Sequence, residues 1–237
     1  MSKLVFDIET IGEDFDKLDQ TTQEILTHWI RKEIDNKQEY EKDLSDLKDG
    51  LGFSPLTGEV VVIGVLDYEK EQGAVYFQAP GKNIPEFEKN GIKFKQMTEP
   101  EMLEKFWELA LKYDEFISFN GRGFDVPFLM VRSAIHNIRP SKDLLSNRYL
   151  NLQKFNAKHV DLYEQLTFYG ATRKKGGLHL WSRAFGIKSP KAEGVKGEDV
   201  TRLFREEKFK EIAEYNGHDL IATKELYDYW DEYLRFN

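Results

Sequence analysis

The stretch KLVFDIET, residues 3–10, is where the fold becomes legible. From Lys3 to Ile8 it is a short run of apolar and β-branched residues, the composition of a buried strand. The run turns acidic at Asp7 and again at Glu9. Side chains alternate faces along a strand, so these two carboxylates point the same way. A D-x-E pair at a strand end is either a solvated rim or a pair of cation ligands, and this segment alone leaves both readings open.

Working outward, EVVVIGVLDY (Glu59 to Tyr68) and Gly73 to Gln78 are β-branched or aromatic runs bounded by Gly and Pro, and they read as two further strands. Between the first two strands lies a charged stretch, about Asp14 to Asp49. Its Leu18, Ile25, Leu26, Trp29, Ile30 and Ile34 recur at helical spacing, which predicts an inserted helical arm. Thr98 with Glu101 forms a capping-box signature that opens a helix through Tyr113, and EFISF (Glu115 to Phe119) is a fourth strand. After the turn Asn120-Gly121-Arg122-Gly123, a helix starts near Phe124. It takes Pro127 in its first turn, where a missing N–H is harmless, and runs to about His136. KHVDL (Lys158 to Leu162) reads as a fifth strand, and helices over Gly177 to Phe185, Gly197 to Arg205 and Lys208 to about Leu234 close the chain. This order predicts an α/β fold with a central mixed sheet of five or six strands flanked by helices. The domain expectation is one unit over 1–237 with a helical insertion at about 14–49 and no internal repeat.

A chain of 237 residues, 40% hydrophobic, is long enough for one such core. The absence of cysteine excludes disulfides, thiolate zinc sites and a cysteine nucleophile, and it fits a reducing compartment. The beginning MSKLVFDIET has the character of neither a signal peptide nor a membrane span, so a cytoplasmic protein without membrane contact is expected. A formal charge of −8 weighs against nucleic acid, which usually meets a basic footprint. Two things blunt that argument: a carboxylate site is itself negative until a cation binds, and much of the acid collects between Glu13 and Asp49.

Two more segments carry candidate chemistry. In NGRGFD (Asn120 to Asp125) a Gly-rich turn lets backbone approach a ligand and a carboxylate sits at a helix start, although Asp125 also suits a plain cap and Asn120 an Asx turn. In YNGHD (Tyr215 to Asp219) a spacing of four sets phenol and carboxylate on one helix face. Gly217 costs about 1 kcal/mol in a helix relative to Ala, so a close contact there would explain it.

In this order, FDIET, NGRGFDVPFL and YNGHD resemble the three motifs of the DEDD exonucleases, which share a ribonuclease-H-like fold. The set is most similar to the proofreading exonuclease of family B DNA polymerases and its stand-alone relatives. Tyr four residues before Asp219 resembles the tyrosine subgroup; the histidine subgroup would need His where Glu214 stands. The resemblance extends through SPLTGEVVVIGV, HVDLYEQL and GGLHLWSRAFGI. It implies metal-dependent 3′-to-5′ hydrolysis of phosphodiester bonds at 3′ ends of DNA, single-stranded in preference. Two divalent ions, Mg²⁺ or Mn²⁺, would be held by Asp7, Glu9, Asp125 and Asp219, and Tyr215 would orient the attacking water.

Thr10 and Phe124 are implied substrate contacts, through backbone amides and stacking, with core packing an equal reading for Phe124 and the better one for Phe119. Asn120 joins them as a substrate-binding candidate. Arg173, Lys174 and Lys175, preceded by Phe168 and Tyr169, form the one basic-aromatic cluster, either a phosphate grip or a solvated turn. Asp161, at a strand end, reads as structural. The acidic arm suits a protein partner, an electrostatic gate against duplex, or plain packing. Two rival functions keep the fold: an exoribonuclease resembling ribonuclease D, acting on RNA, and a nonenzymatic nucleic-acid-binding module. A plain metal-dependent phosphohydrolase is a more distant third.

Overall fold

The two longest apolar runs form the middle of the sheet. In the computed structural model, which describes residues 1–33, 36–172, 176–188 and 197–236, β1 (Lys3–Gly12) and β2 (Gly58–Asp67) pair antiparallel. Both are buried along most of their length, as strands covered on two faces must be. β3 (Gln72–Phe77) continues antiparallel from β2, and β5 (Ile92–Gln96) runs parallel to β3 with β4 (Phe87–Lys89) at its edge. On the other side, β6 (Glu115–Ser118) runs parallel to β1 and β7 (Lys158–Asp161) parallel to β6. The order among the described residues is β4-β5-β3-β2-β1-β6-β7.

The sheet therefore has seven strands instead of five or six. The additional pair is the β4–β5 hairpin, whose Asn90 and Gly91 both take positive φ, 53° and 75°, as a type I′ turn requires. Its signal stood in FEKNGIKF, an Asn-Gly flanked by alternating residues. Lys93 and Lys95 on the exposed side of β5 mask the buried Ile92 and Phe94.

Alternation along β1 divides two cores. Leu4, Phe6 and Ile8 join one cluster with α3 (Glu99–Ala110) and α4 (Asp125–Ile135). Val5 and Ile11 join the other, under α5 (Leu162–Leu166), α6 (Leu178–Ala184), α7 (Val200–Arg205) and α8 (Phe209–Tyr233). By the same parity Asp7 and Glu9 face α8. The capping box forms as expected: Glu101 accepts from both the Thr98 amide and its hydroxyl, each at 2.8 Å. Gly217 also finds its reason, since a Cβ there would sit 3.3 Å from the Phe94 ring. Small residues let α8 lie close on the sheet.

α1 (Gln20–Glu33) and α2 (Lys37–Gly50) fill the segment between β1 and β2 and pack on each other. Only part of the expected apolar stripe is inward: Ile30 is buried, whereas Ile25 and Trp29 are 70% and 50% exposed. Thr27, a polar residue, takes a buried position beside Ile30, which rotates the packed face away from Ile25 and Trp29. Ile34 lies outside the described residues. A 3-10 turn at Leu51–Phe53 returns the chain to the sheet, fastened where the Thr10 hydroxyl donates to Gly52 O at 2.6 Å. The segment thus leaves and rejoins beside Glu9. Among the described residues no helix is long and apolar enough to cross a membrane.

Candidate active site

Three elements bring acid to one point. β1 carries Asp7 and Glu9, and its ladder with β2 shifts register between Glu9 and Thr10, where Val61 is the extra residue of a bulge on β2. α8 brings Tyr215, Asn216 and Asp219, and α4 brings Asp125 at its first residue. One carboxylate oxygen from each of Asp7, Glu9 and Asp219 lies within 4.8 Å of the others. Asp125 stands next to them, its Oδ1 accepting from the Ile8 amide at 3.0 Å, so α4 is tied to the strand between the two β1 acids. Glu9, Asp125, Tyr215 and Asp219 are buried and Asp7 is half-buried. The Tyr215 phenol hydrogen-bonds Asp219 one turn along the helix.

Burial and close charge together perturb Asp7, Glu9, Asp125 and Tyr215. Burial, then the charges of Asp125, Asp219 and Glu9, hold the Asp7 carboxyl well above the usual carboxylate range. Burial, then Asp219 and Asp125, do the same to Glu9. Asp125 is pushed up to about 7, chiefly by burial, against the pull of backbone N–H groups that include Ile8. Burial and the neighbouring Asp219, Glu9 and Asp7 raise the Tyr215 phenol far above its ordinary value, so it stays neutral at any working pH. The strongest charges felt by Asp7 are all negative. A desolvated, all-oxygen donor set of mutually repelling carboxylates fits a hard divalent cation.

The turn before Asp125 is held from β7. Asn120, in the left-handed region at φ 65°, and Arg122 each donate a backbone N–H to the Asp161 carboxylate at 2.9 Å. Asp161 also accepts from Tyr163 N at 3.0 Å and caps α5, which accounts for a buried strand-end acid in structural terms. Beneath the turn, His159 Nε2 meets Ser118 Oγ at 2.7 Å and Nδ1 meets Leu144 O at 3.2 Å. Burial, and secondarily Arg122, depress His159 to about 3, so the neutral ring donates from Nδ1 and accepts at Nε2. Between that value and the ordinary 6.5 the unfolded chain binds a proton the native state refuses. This contribution to stability is full above about 6.5 and is lost as pH falls toward 3, at up to about 1.4 kcal/mol per pH unit. The expected result is that His159→Gln is less stable than the parent at pH 7 but closes the gap on acidification. Urea midpoints at pH 7 and pH 4.5 check it; a constant gap would contradict it.

A cleft of about 800 Å³ opens at Glu9 and Thr10. Phe53, Phe124, and Thr201 and Arg205 of α7 line it, together with the exposed Asp46 and Asp49 of α2. The Thr10 hydroxyl is engaged by Gly52 O, and Thr10 itself pairs with Val60 in the sheet. Phe124 is half-buried: it meets Phe128 on the core side at 5.0 Å and Phe53, 62% exposed, at 6.4 Å. Phe124 thus packs on the core side and also lines the cleft. Phe119 packs edge-on against Tyr163. Asn120 is exposed and lines a separate cavity of about 370 Å³ with Arg122 and Asp161, so it does not join the carboxylates. Arg173, Lys174 and Lys175 lie outside the described residues. Of the residues before them, Phe168 is exposed and Tyr169 packs on Tyr149.

Sequence reasoning passed over three residues. Phe53 and Arg205 sit in segments without a motif. Asn216 was hidden inside YNGHD, although a polar residue three before Asp219 on a buried helix face is itself a signal.

A family model described as a predicted 3′-5′ exonuclease related to the exonuclease domain of PolB matches residues 77–235. No curated protein shows a significant match to the chain. Among solved structures, the chain is similar to the family B DNA polymerase from the hyperthermophilic archaeon Pyrobaculum calidifontis, at 16% identity and a TM-score of 0.59. That match covers 97% of this chain and 24% of the polymerase, so the chain spans about a quarter of its length. At such identity the likeness is one of fold: α/β, ribonuclease-H-like, with a mixed seven-stranded sheet flanked by helices.

Proposed function

The chain belongs to the family of predicted 3′-5′ exonucleases related to the exonuclease domain of PolB, and from that premise we propose that it removes nucleotides from single-stranded 3′ ends of DNA by a two-metal mechanism of the tyrosine subgroup. The observation that carries this reading is the convergence of Asp7, Glu9 and Asp219 within 4.8 Å, with Asp125 adjoining. Asp7, Glu9, Asp219 and Asp125 would hold the divalent cations, Mg²⁺ or Mn²⁺, which when bound would supply the positive charge that phosphodiester cleavage needs.

The chain's own residues do the rest. Tyr215, kept neutral, is no base; its hydroxyl is a fixed polar handle beside Asp219 that orients a water. Phe124 and Phe53 offer ring faces to a terminal base, and Thr201 and Arg205 offer polar and positive groups to its phosphates. The exposed Asp46 and Asp49 repel the backbone of a second strand, which favours unpaired ends. Asp46→Asn with Asp49→Asn is therefore expected to raise cutting of duplex relative to single strands several-fold at low salt. Salt at 0.5 M should erase the gain by screening. An unchanged ratio at low salt would remove these two acids from the account of specificity.

The deciding experiment is digestion of 5′-labelled single-stranded DNA and RNA with Mg²⁺, Mn²⁺ or EDTA. A ladder shortening from the 3′ end, abolished by EDTA and faster on DNA, is expected. Equal or faster RNA digestion would favour the ribonuclease reading. Cutting in excess EDTA would refute the metal mechanism.

A further inference from the structure

Asn216 is wholly buried and has no part in the chemistry just described. Its Nδ2 donates to Asp7 Oδ2 at 2.8 Å, and its side chain lies beside the Glu9 carboxylate. The other end of the amide, Oδ1, is buried without a hydrogen-bond partner. It occupies space that only glycine leaves open, since a Cβ on Gly64 would lie 2.0 Å from it. An amide with a donor end and an acceptor end must choose an orientation. Turned over, its carbonyl oxygen would face two carboxylates, so their charge holds the N–H groups toward β1 even though Oδ1 goes unmatched.

The choice of an amide has a chemical sense. Lys or Arg in this position would pair with Asp7 and Glu9 and cancel the charge a cation requires. A neutral donor fixes the carboxylates and leaves that charge intact. Resting on the proposed reading of these acids as cation ligands, we propose that Asn216 is a positioning residue: it fixes the spacing and orientation of Asp7 and Glu9 and so sets the affinity for the divalent cation, in room provided by Gly64.

The test is direct titration of the full chain with Mn²⁺, read by electron paramagnetic resonance of the free ion. Asn216→Ala is expected to weaken Mn²⁺ binding by about 10-fold or more, the range for outer partners of metal ligands. Gly64→Ala, which keeps Asn216 but displaces its amide, should do the same. The kcat lost by Asn216→Ala at low Mn²⁺ should recover as Mn²⁺ is raised, with KM for DNA unchanged. A lower melting temperature with parental Mn²⁺ affinity would mean a merely structural amide and would overturn the proposal. A parent that binds no Mn²⁺ would overturn the cation reading itself, a separable failure. Should both variants fail to fold, the parent decides. Its Asn216 side-chain amide protons should be protected from exchange and shift on Mg²⁺ addition, and rapid exchange with no shift would refute the role.

Discussion

Asp7→Asn and Asp219→Asn are each expected to lower the rate of 3′-terminal nucleotide release by about 10³-fold or more while the fold persists. Each removes one charge from the cluster of oxygens within 4.8 Å and keeps the shape of the side chain. The accompanying change in stability runs the other way. Burial and mutual repulsion raise Asp7 and Glu9, and bring Asp125 to about 7. From about 4, the ordinary carboxylate value, up through that folded value, the native state holds more protons than the unfolded chain. Stability of the metal-free protein from this source is therefore greatest at or below about pH 4 and falls as pH rises through about 7. In EDTA the Asn variants should melt above the parent at pH 8, with the difference shrinking toward pH 5. Mn²⁺ should raise the melting temperature of the parent far more than theirs. A variant with parental circular dichroism that still cuts at the parental rate would show that the ligand assignment is wrong.

Tyr215→Phe is expected to lower kcat by roughly 10- to 1000-fold, the range for one positioned polar group, with Mn²⁺ affinity and the melting temperature nearly unchanged. The substitution keeps the ring in its buried seat on α8 and deletes only the hydroxyl that touches Asp219. Because burial and the surrounding acids hold the phenol neutral, no step in the pH–rate profile should belong to it, and the profile of the Phe variant should have the parental shape at lower height. Steady-state rates across pH 6 to 9 check both statements. Unchanged turnover would reduce Tyr215 to packing.

Much of this was legible because the signals are local. The period of two in Lys3 to Glu9 set Asp7 and Glu9 on one face, and the structure turns that face to α8. The Thr98–Glu101 pair marked a helix start that forms as read. The β4–β5 hairpin escaped notice although Asn90-Gly91 announced it, because alternate lysines dilute the apolar count on a strand exposed on one side. In α1, helical spacing identified a helix but not its inward face: Ile25 and Trp29 are apolar yet face solvent, since periodicity says nothing of what lies opposite.

Local periodicity is enough for the kind and order of elements, the shared face of Asp7 and Glu9, and the one-turn relation of Tyr215 to Asp219. These follow from the repeat of strand and helix over a few residues. Only the tertiary structure decided that Asn216 reaches Asp7 across 209 positions of sequence, that Gly64 makes room for it, and that Asp125 is anchored on the Ile8 amide. It also decided that Phe53 and Arg205, 152 positions apart in sequence, line one cleft. Such contacts depend on how α4, α7 and α8 seat on the sheet, a packing of whole elements that fixes ångström distances between distant residues and leaves no periodic trace in any one segment.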